Sequence, residues 1–119
     1  RERAVQLQKR LAGIRGVTVL TDPPGTAGVW PALMVQLPDS AARDAALDAL
    51  WGAGLGVSCL FTHALADYPY LAGLVPYSPS PRARRLASTS LLIGNSPWLR
   101  AADMDRIAAC LHQGQAAAA

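Results

Sequence analysis

Lysine is nearly absent from this sequence of 119 residues: Lys9 is the only one, although ten arginines are present. A lysine that forms a Schiff base needs an apolar pocket or a neighbouring cation that lowers the pKa of its amine. Lys9 instead falls on the polar side of a helical pattern, for which a surface position is the better interpretation. The sequence therefore places no lysine for covalent carbonyl chemistry.

Cysteine and long apolar runs are also scarce. Cys59 and Cys110 are the only cysteines, and neither a CxxC pair nor the Cys/His spacing of a zinc site surrounds them, so we expect buried free thiols. No apolar run approaches the roughly 18 residues that a membrane-spanning helix requires, and no signal peptide is recognisable. These absences favour a soluble, cytoplasmic protein with no metal site and no membrane contact.

The net charge is a mild +3, and its distribution does not indicate nucleic-acid binding. The densest basic cluster consists of Arg82, Arg84 and Arg85, without the interleaved aromatic residues that favour a nucleic-acid surface. A solvated helix start explains this cluster better. We therefore expect no nucleic-acid partner.

Hydrophobic periodicity predicts one domain in which helices and short strands alternate. The predicted order is α-β-β-α-β-loop-α-β-α, an α+β fold (a small α/β sandwich-like domain) with a mixed or antiparallel sheet and helices mainly on one face. We expect this domain to span residues 1–114 and residues 115–119 to form a disordered tail. The four strands are predicted in VTVL from Val17, in Val29 to Leu37, in GVSCLF and in STSLLIG.

Two features of the middle of the chain predict how this domain packs. Leu47, Leu50 and Trp51 share one face of a helix that Asp39 or Ser40 caps, so we expect Trp51 to lie in the core. The strand from Val29 to Leu37 is apolar on both alternating faces, as in a sheet that is covered on both sides. Because the helices cover one face, a partner is expected to cover the other.

A long loop between Thr62 and Ser80 contains several prolines and three tyrosines. Loops longer than about 12 to 15 residues are usually functional or disordered, and aromatic residues are rare in disordered linkers. We therefore predict that this loop is mobile in the isolated domain and becomes ordered against a partner.

Ionisable residues in this loop allow two interpretations. His63 and Asp67 are four residues apart and could form a proton-transfer pair, but no nucleophile or third group accompanies them, so a solvated histidine is the alternative. Tyr68 and Tyr70 either line a ligand or form a lid or docking surface. The sequence alone supplies no complete set of catalytic residues.

Several motifs resemble the C-terminal small domain of the DegT/DnrJ/EryC1/StrS family. In its closing signature Pro97, Leu99 and Asp103 match, whereas Gly94 and Ser96 replace a proline and a histidine. The similar segments are RERAVQLQKRLAGIRGVTVL at the start, GLGVSCLF with the later PYL in the centre, and LASTSLLIGNSPWLRAADMDRI at the end.

The loop departs from the pattern of this family. Leu60 and Phe61 stand where members commonly have a histidine-tyrosine pair, and Ala66 aligns with a later loop histidine. The fold assignment is unaffected by these changes, because it depends on the glycine, proline and strand positions. The substrate contacts of those histidines are not carried over to this chain.

The resemblance implies the small domain of a pyridoxal-phosphate-dependent sugar aminotransferase, similar to those acting on nucleotide-linked keto sugars. Such a domain would wall the active-site cleft with a large domain absent from this chain, and the parent enzyme would be a homodimer. The large domain would hold the pyridoxal phosphate, so this chain alone would neither bind it nor be active. His63, Asp67, Tyr68 and Tyr70 would lie nearest the cleft. The alternative is a non-catalytic α+β interaction or regulatory module.

Overall fold

A computed structural model of the protein describes residues 1–74 and 76–116, and it confirms the predicted order of elements. The boundary predicted at residue 114 falls inside the last turn of the final helix, and residues 117–119 of the predicted tail lie outside the described residues. The elements are α1 (Glu2–Leu11), β1 (Thr18–Val19), β2 (Ala32–Gln36), α2 (Ser40–Gly52), β3 (Val57–Cys59), α3 (Pro81–Thr89), β4 (Ser90–Gly94) and α4 (Ala101–Ala116).

The four strands form one antiparallel sheet in the order β1-β2-β4-β3. Leu33 lies opposite Ile93 and Val35 lies opposite Leu91, and directly opposed residues of an antiparallel pair point to the same face. All four side chains are fully buried, because helices α1, α2 and α4 pack on this face. The helices contribute Ala4, Leu7, Leu11, Ala42, Ala46, Leu47, Leu50, Met104, Ile107 and Leu111 to the same core.

The opposite face of the sheet is only partly covered. Ala32 and Met34 of β2 and Leu92 of β4 alternate with the buried residues and are half-exposed. Val29, which was predicted in the strand, lies before it and is 93% exposed. Pro31 has no backbone N–H to donate, so the ladder begins after it. The partner predicted for this face therefore stays a prediction.

Helix α2 has the ends that its sequence predicts. The Asp39 carboxylate accepts a hydrogen bond of 2.8 Å from the Ala42 N–H at the start of the helix. At the other end, the Leu55 N–H donates to the Leu50 carbonyl, and Gly54 has a φ of +69°. This left-handed residue turns the chain sharply into β3.

Trp51 is not in the core, so the prediction for this residue is wrong. Leu47 and Leu50 are buried, whereas Trp51 is 55% exposed. Each residue advances about 100° around a helix, and the single step beyond Leu50 moves Trp51 off the inner face. Its indole N–H instead donates a hydrogen bond of 2.9 Å to the Val57 carbonyl, which places the ring along the edge strand β3.

The exposure of Trp51 predicts a small energetic effect of its removal. Trp51→Ala should lower the free energy of unfolding by about 1 kcal/mol, because it removes one hydrogen bond and partial packing. Leu50→Ala should cost about 2 to 5 kcal/mol, because it opens a cavity in the core. Urea denaturation of both variants measures the difference. Equal losses of about 3 kcal/mol or more would mean that the indole is buried in solution.

Candidate functional site

The segment between β3 and α3 carries all four candidate residues and is built on two short 3-10 turns. These turns span Leu65–Asp67 and Pro69–Leu71, and Val75 later in the segment lies outside the described residues. Ala64 is buried at the start of the first turn. The backbone of Tyr68 is extended between the two turns. The side chains of Tyr68 and Tyr70 lie next to each other.

An ion pair fastens this segment to helix α3. The Arg84 guanidinium donates from Nε to Oδ2 of Asp67 at 2.6 Å and from Nη2 to Oδ1 at 2.5 Å, which is the bidentate geometry that gives the strongest such pairs. Arg84 also donates to the Tyr77 hydroxyl, and its guanidinium lies 5.7 Å from the centre of the Tyr77 ring. We call Asp67, Arg84 and Tyr77 the loop clamp.

The loop clamp changes the interpretation of two residues. The hydrogen bonds from Arg84 hold the pKa of Asp67 below its ordinary value of 3.8, and the same pairing raises the pKa of Arg84. Both oxygens of Asp67 are engaged by Arg84, and among the described residues no hydrogen bond joins Asp67 to His63, so their proton-transfer pair stays a prediction. Arg84 is therefore part of a contact within the fold, and only Arg82 and Arg85 fit the predicted solvated helix start.

His63, Tyr68 and Tyr70 come together instead. The rings of His63 and Tyr68 meet edge to face with their centres 5.3 Å apart, and those of Tyr68 and Tyr70 are also 5.3 Å apart at 44°. Separations of this size are typical of interacting aromatic pairs. Three of the four predicted residues thus form one aromatic cluster, and Asp67 holds the segment that carries them.

This cluster lines an apolar groove of about 400 Å³. Helix α3 contributes Ala83, Leu86 and Ala87, whose i, i+3, i+4 spacing puts them on one side of the helix. Leu65 and Leu86 were not predicted as site residues, although the amphipathic spacing of α3 is visible in the sequence. The full lining, which we call the aromatic groove, is Phe61, His63, Ala64, Leu65, Tyr68, Tyr70, Ala83, Leu86 and Ala87.

A second cavity, of about 610 Å³, lies between the start of α1 and the start of α4. Its lining mixes polar and apolar side chains, and two of its three arginines are paired. Arg1 binds Asp22 at 2.8 Å, and Arg100 binds Asp103 at 3.1 Å. Asp103 also accepts from the Arg100 backbone N–H, so it caps α4, and these bonds lower its pKa. This cavity contains none of the predicted site residues.

Other candidate chemistry has structural explanations. Lys9 is exposed on α1, as predicted. Cys59 and Cys110 are free thiols, but they are half-buried rather than buried. Within residues 1–74 and 76–116, no group of three or more His, Cys, Asp or Glu could hold a metal ion. In the same residues, no helix combines the length and the apolar character needed to cross a membrane.

The loop clamp predicts a defined pH dependence. Because the pKa of Asp67 is lowered in the folded state, its contribution to stability is present above the ordinary carboxyl pKa and is lost as the pH falls through the lowered one. Asp67→Asn should therefore be less stable than the wild type at pH 7 and pH 5, and the difference should shrink as the pH falls below the ordinary carboxyl value of 3.8. The effect should be small, because the pair is exposed to solvent.

Urea denaturation at pH 7, 5 and 3 measures this dependence. Asp48→Asn is the control, because Asp48 is exposed on α2 and has no ion-pair partner among the described residues. It should show no such change with pH. A difference for Asp67→Asn that persists unchanged at pH 3 would contradict an ionic clamp.

Comparison with known proteins finds matches among solved structures, but none among family models or curated sequences. Among solved structures, the aminotransferase TlmJ from Streptoalloteichus hindustanus has a TM-score of 0.76 at 21% identity, and the match covers 98% of this chain and 31% of TlmJ. DesV from S. venezuelae, solved with a ketimine intermediate, has a TM-score of 0.79 at 24% identity, covering 94% of this chain and 30% of DesV.

A third match concerns the family suggested by the sequence motifs. A DegT DnrJ EryC1 StrS aminotransferase from Brucella abortus has a TM-score of 0.73 at 21% identity, covering 94% of this chain and 29% of that protein. Identity this low establishes the fold, and at that level the predicted resemblance is confirmed. The chain spans about 30% of the length of the solved chains that it matches.

Proposed function

We propose that this chain is the small domain of a pyridoxal-phosphate-dependent aminotransferase that acts on nucleotide-linked keto sugars. One observation carries the proposal: almost the whole chain has the fold of sugar aminotransferases but accounts for only about 30% of their length. The sugar aminotransferase CalS13 from Micromonospora echinospora is similar to the same extent. Its TM-score is 0.77, and the match covers 95% of this chain and 29% of the CalS13 chain. The remaining parts of such an enzyme would lie in a large domain of the same polypeptide.

The cofactor does not fit the residues of this chain. Lys9 is its only lysine and lies exposed on α1, far from the apolar surroundings that a Schiff-base lysine requires. In this proposal the large domain holds the pyridoxal phosphate, which supplies the electron sink of transamination. The homodimer and the cytoplasmic location proposed for the parent enzyme come from the same family resemblance.

The role of this domain would be to wall the cleft and exclude water from it. Active-site clefts commonly lie where two domains meet, and the segment between β3 and α3 exposes a run of large side chains that the domain itself leaves uncovered. The loop clamp would hold His63, Tyr68 and Tyr70 toward the cleft, and their rings would displace water around the bound substrate. The exposed residues of this segment are Phe61, Leu65, Tyr70, Leu74 and Tyr77.

The test is an activity measurement on the complete polypeptide. With pyridoxal phosphate it should develop the absorption band of an internal Schiff base and transfer an amine to a nucleotide-linked keto sugar. Tyr70→Ala and His63→Ala should each lower kcat/KM about tenfold without changing the free energy of unfolding, because both side chains are exposed in this domain. Val29→Ala, which is also exposed but lies before β2 and outside this segment, is the control.

The 119-residue chain provides the second arm of this test. Mixed with pyridoxal phosphate, it should form no Schiff-base band, and Lys9→Ala should leave its spectrum unchanged. A stoichiometric band with turnover that disappears in Lys9→Ala would refute the assignment of the cofactor to the large domain. A complete polypeptide that forms no such band would instead favour the interaction or regulatory module.

Ordering of the segment between β3 and α3 is a separate prediction. Its amides should exchange with solvent faster in the 119-residue chain than in the complete polypeptide, because the large domain would cover the exposed side chains. Hydrogen exchange measured on both proteins makes the comparison, and the amides of β2 and β4 serve as internal references. Strong and equal protection in both proteins would assign the segment to this domain's own core.

A further inference from the structure

The aromatic groove has a mainly apolar lining. Within the described part of the chain, it contains aliphatic and aromatic side chains, the His63 imidazole and the hydroxyls of Tyr68 and Tyr70, but no carboxylate, lysine or arginine. Ligand sites typically combine an apolar lining with a few polar groups that set orientation. The lining therefore favours a ligand group that is apolar over most of its surface.

Four charged residues adjoin groove residues in sequence, and none of them lines the groove: Asp67, Arg82, Arg84 and Arg85. Asp67 precedes Tyr68 and Arg84 follows Ala83, and these two charged groups form the bidentate pair of the loop clamp. An anion at the groove would have no unpaired cation among the lining residues, and burying an unpaired charge is costly. A phosphate or carboxylate is thus a poor occupant, although three arginines lie on α3.

The shape of the groove suits a flat ring. Its volume of about 400 Å³ is at the lower end of the range for small-molecule sites. Tyr68 and Tyr70 contribute two aromatic rings, inclined at 44° to each other, on which a flat ring can stack. The ion pair of the loop clamp joins the loop side of the groove to α3, which lowers the ordering entropy lost on binding.

We propose that the aromatic groove is a binding site for an uncharged ring with an apolar face, and that it does not bind phosphate. The identification of this ring as the uncharged part of a substrate in the cleft rests on the proposed function. The binding itself is a property of this chain. Leu65, Tyr70 and Leu86 are then the residues that select for the ring.

Titration of the 119-residue chain with benzyl alcohol, followed by NMR of methyl and aromatic groups at pH 7.5, tests the proposal. The signals of Leu65, Leu86 and Tyr70 should shift saturably, with a Kd on the order of 10 mM or lower for a fragment of this size. Inorganic phosphate at the same concentration should leave these signals unchanged.

Two leucine variants make the test specific. Leu65→Asn alters the lining, Leu74→Asn does not, and the two side chains are 72% and 75% exposed, so neither change should disturb folding. Leu65→Asn should weaken benzyl alcohol binding about fivefold or more, since it removes an apolar contact with the ring. Leu74→Asn should stay within about twofold of the wild type.

The outcomes separate this inference from the proposed function. Saturable shifts from phosphate, no shifts from benzyl alcohol, or equal weakening in both variants would each overturn the ring site. Benzyl alcohol binding with the expected variant pattern would support it even if the complete polypeptide formed no Schiff-base band, in which case only the link to a sugar substrate would fail.

Discussion

The structure depends on the burial of one face of a small antiparallel sheet. Leu33 and Val35 on β2 meet Leu91 and Ile93 on β4, and these two central strands carry the residues against which α1, α2 and α4 pack. Hydrophobic burial is the largest favourable term in folding, and in this chain nearly all of it is directed to one side of the sheet. The positions of the other elements follow from the burial of this one sheet face.

The first consequence concerns the segment that carries the candidate residues. Because β3 is an edge strand and β4 lies in the centre, the chain has to leave the sheet after Cys59 and re-enter it at Ser90. Helix α3 makes this return and packs mainly against α2, which leaves its outer side free to meet the preceding loop. The ion pair between Asp67 and Arg84 closes that contact and creates the aromatic groove.

The second consequence is that the domain leaves apolar surface uncovered. Its second sheet face keeps Met34 and Leu92 half-exposed, and the segment after β3 exposes several large side chains. Both features are what the proposed function requires, in which this domain packs against a large domain. Fold and exposed surface therefore support the proposed function together, while the chemistry of transamination would depend on residues outside this chain.

Local and periodic features of the sequence were sufficient to determine the elements and their ends. The spacing of apolar residues predicted α1, α2 and α4, and Pro81 indicated the start of α3. Asp39 and Gly54 marked the two ends of α2, because capping depends on neighbouring residues only. The strand order was not accessible in this way, since pairing between β2 and β4 joins residues almost sixty positions apart. Strand lengths were overestimated for the same reason: a strand ends where its partner ends.

The candidate site was likewise predictable in part from the sequence and in part only from the tertiary structure. Composition and length of the loop identified His63, Tyr68 and Tyr70, because unusual aromatic content is visible in a sequence. Only the tertiary structure decided that Asp67 pairs with Arg84, and that Trp51 lies outside the core. A side chain's partner is set by distances between elements and by the exact rotation of a helix, and neither quantity is encoded in the local pattern of apolar and polar residues.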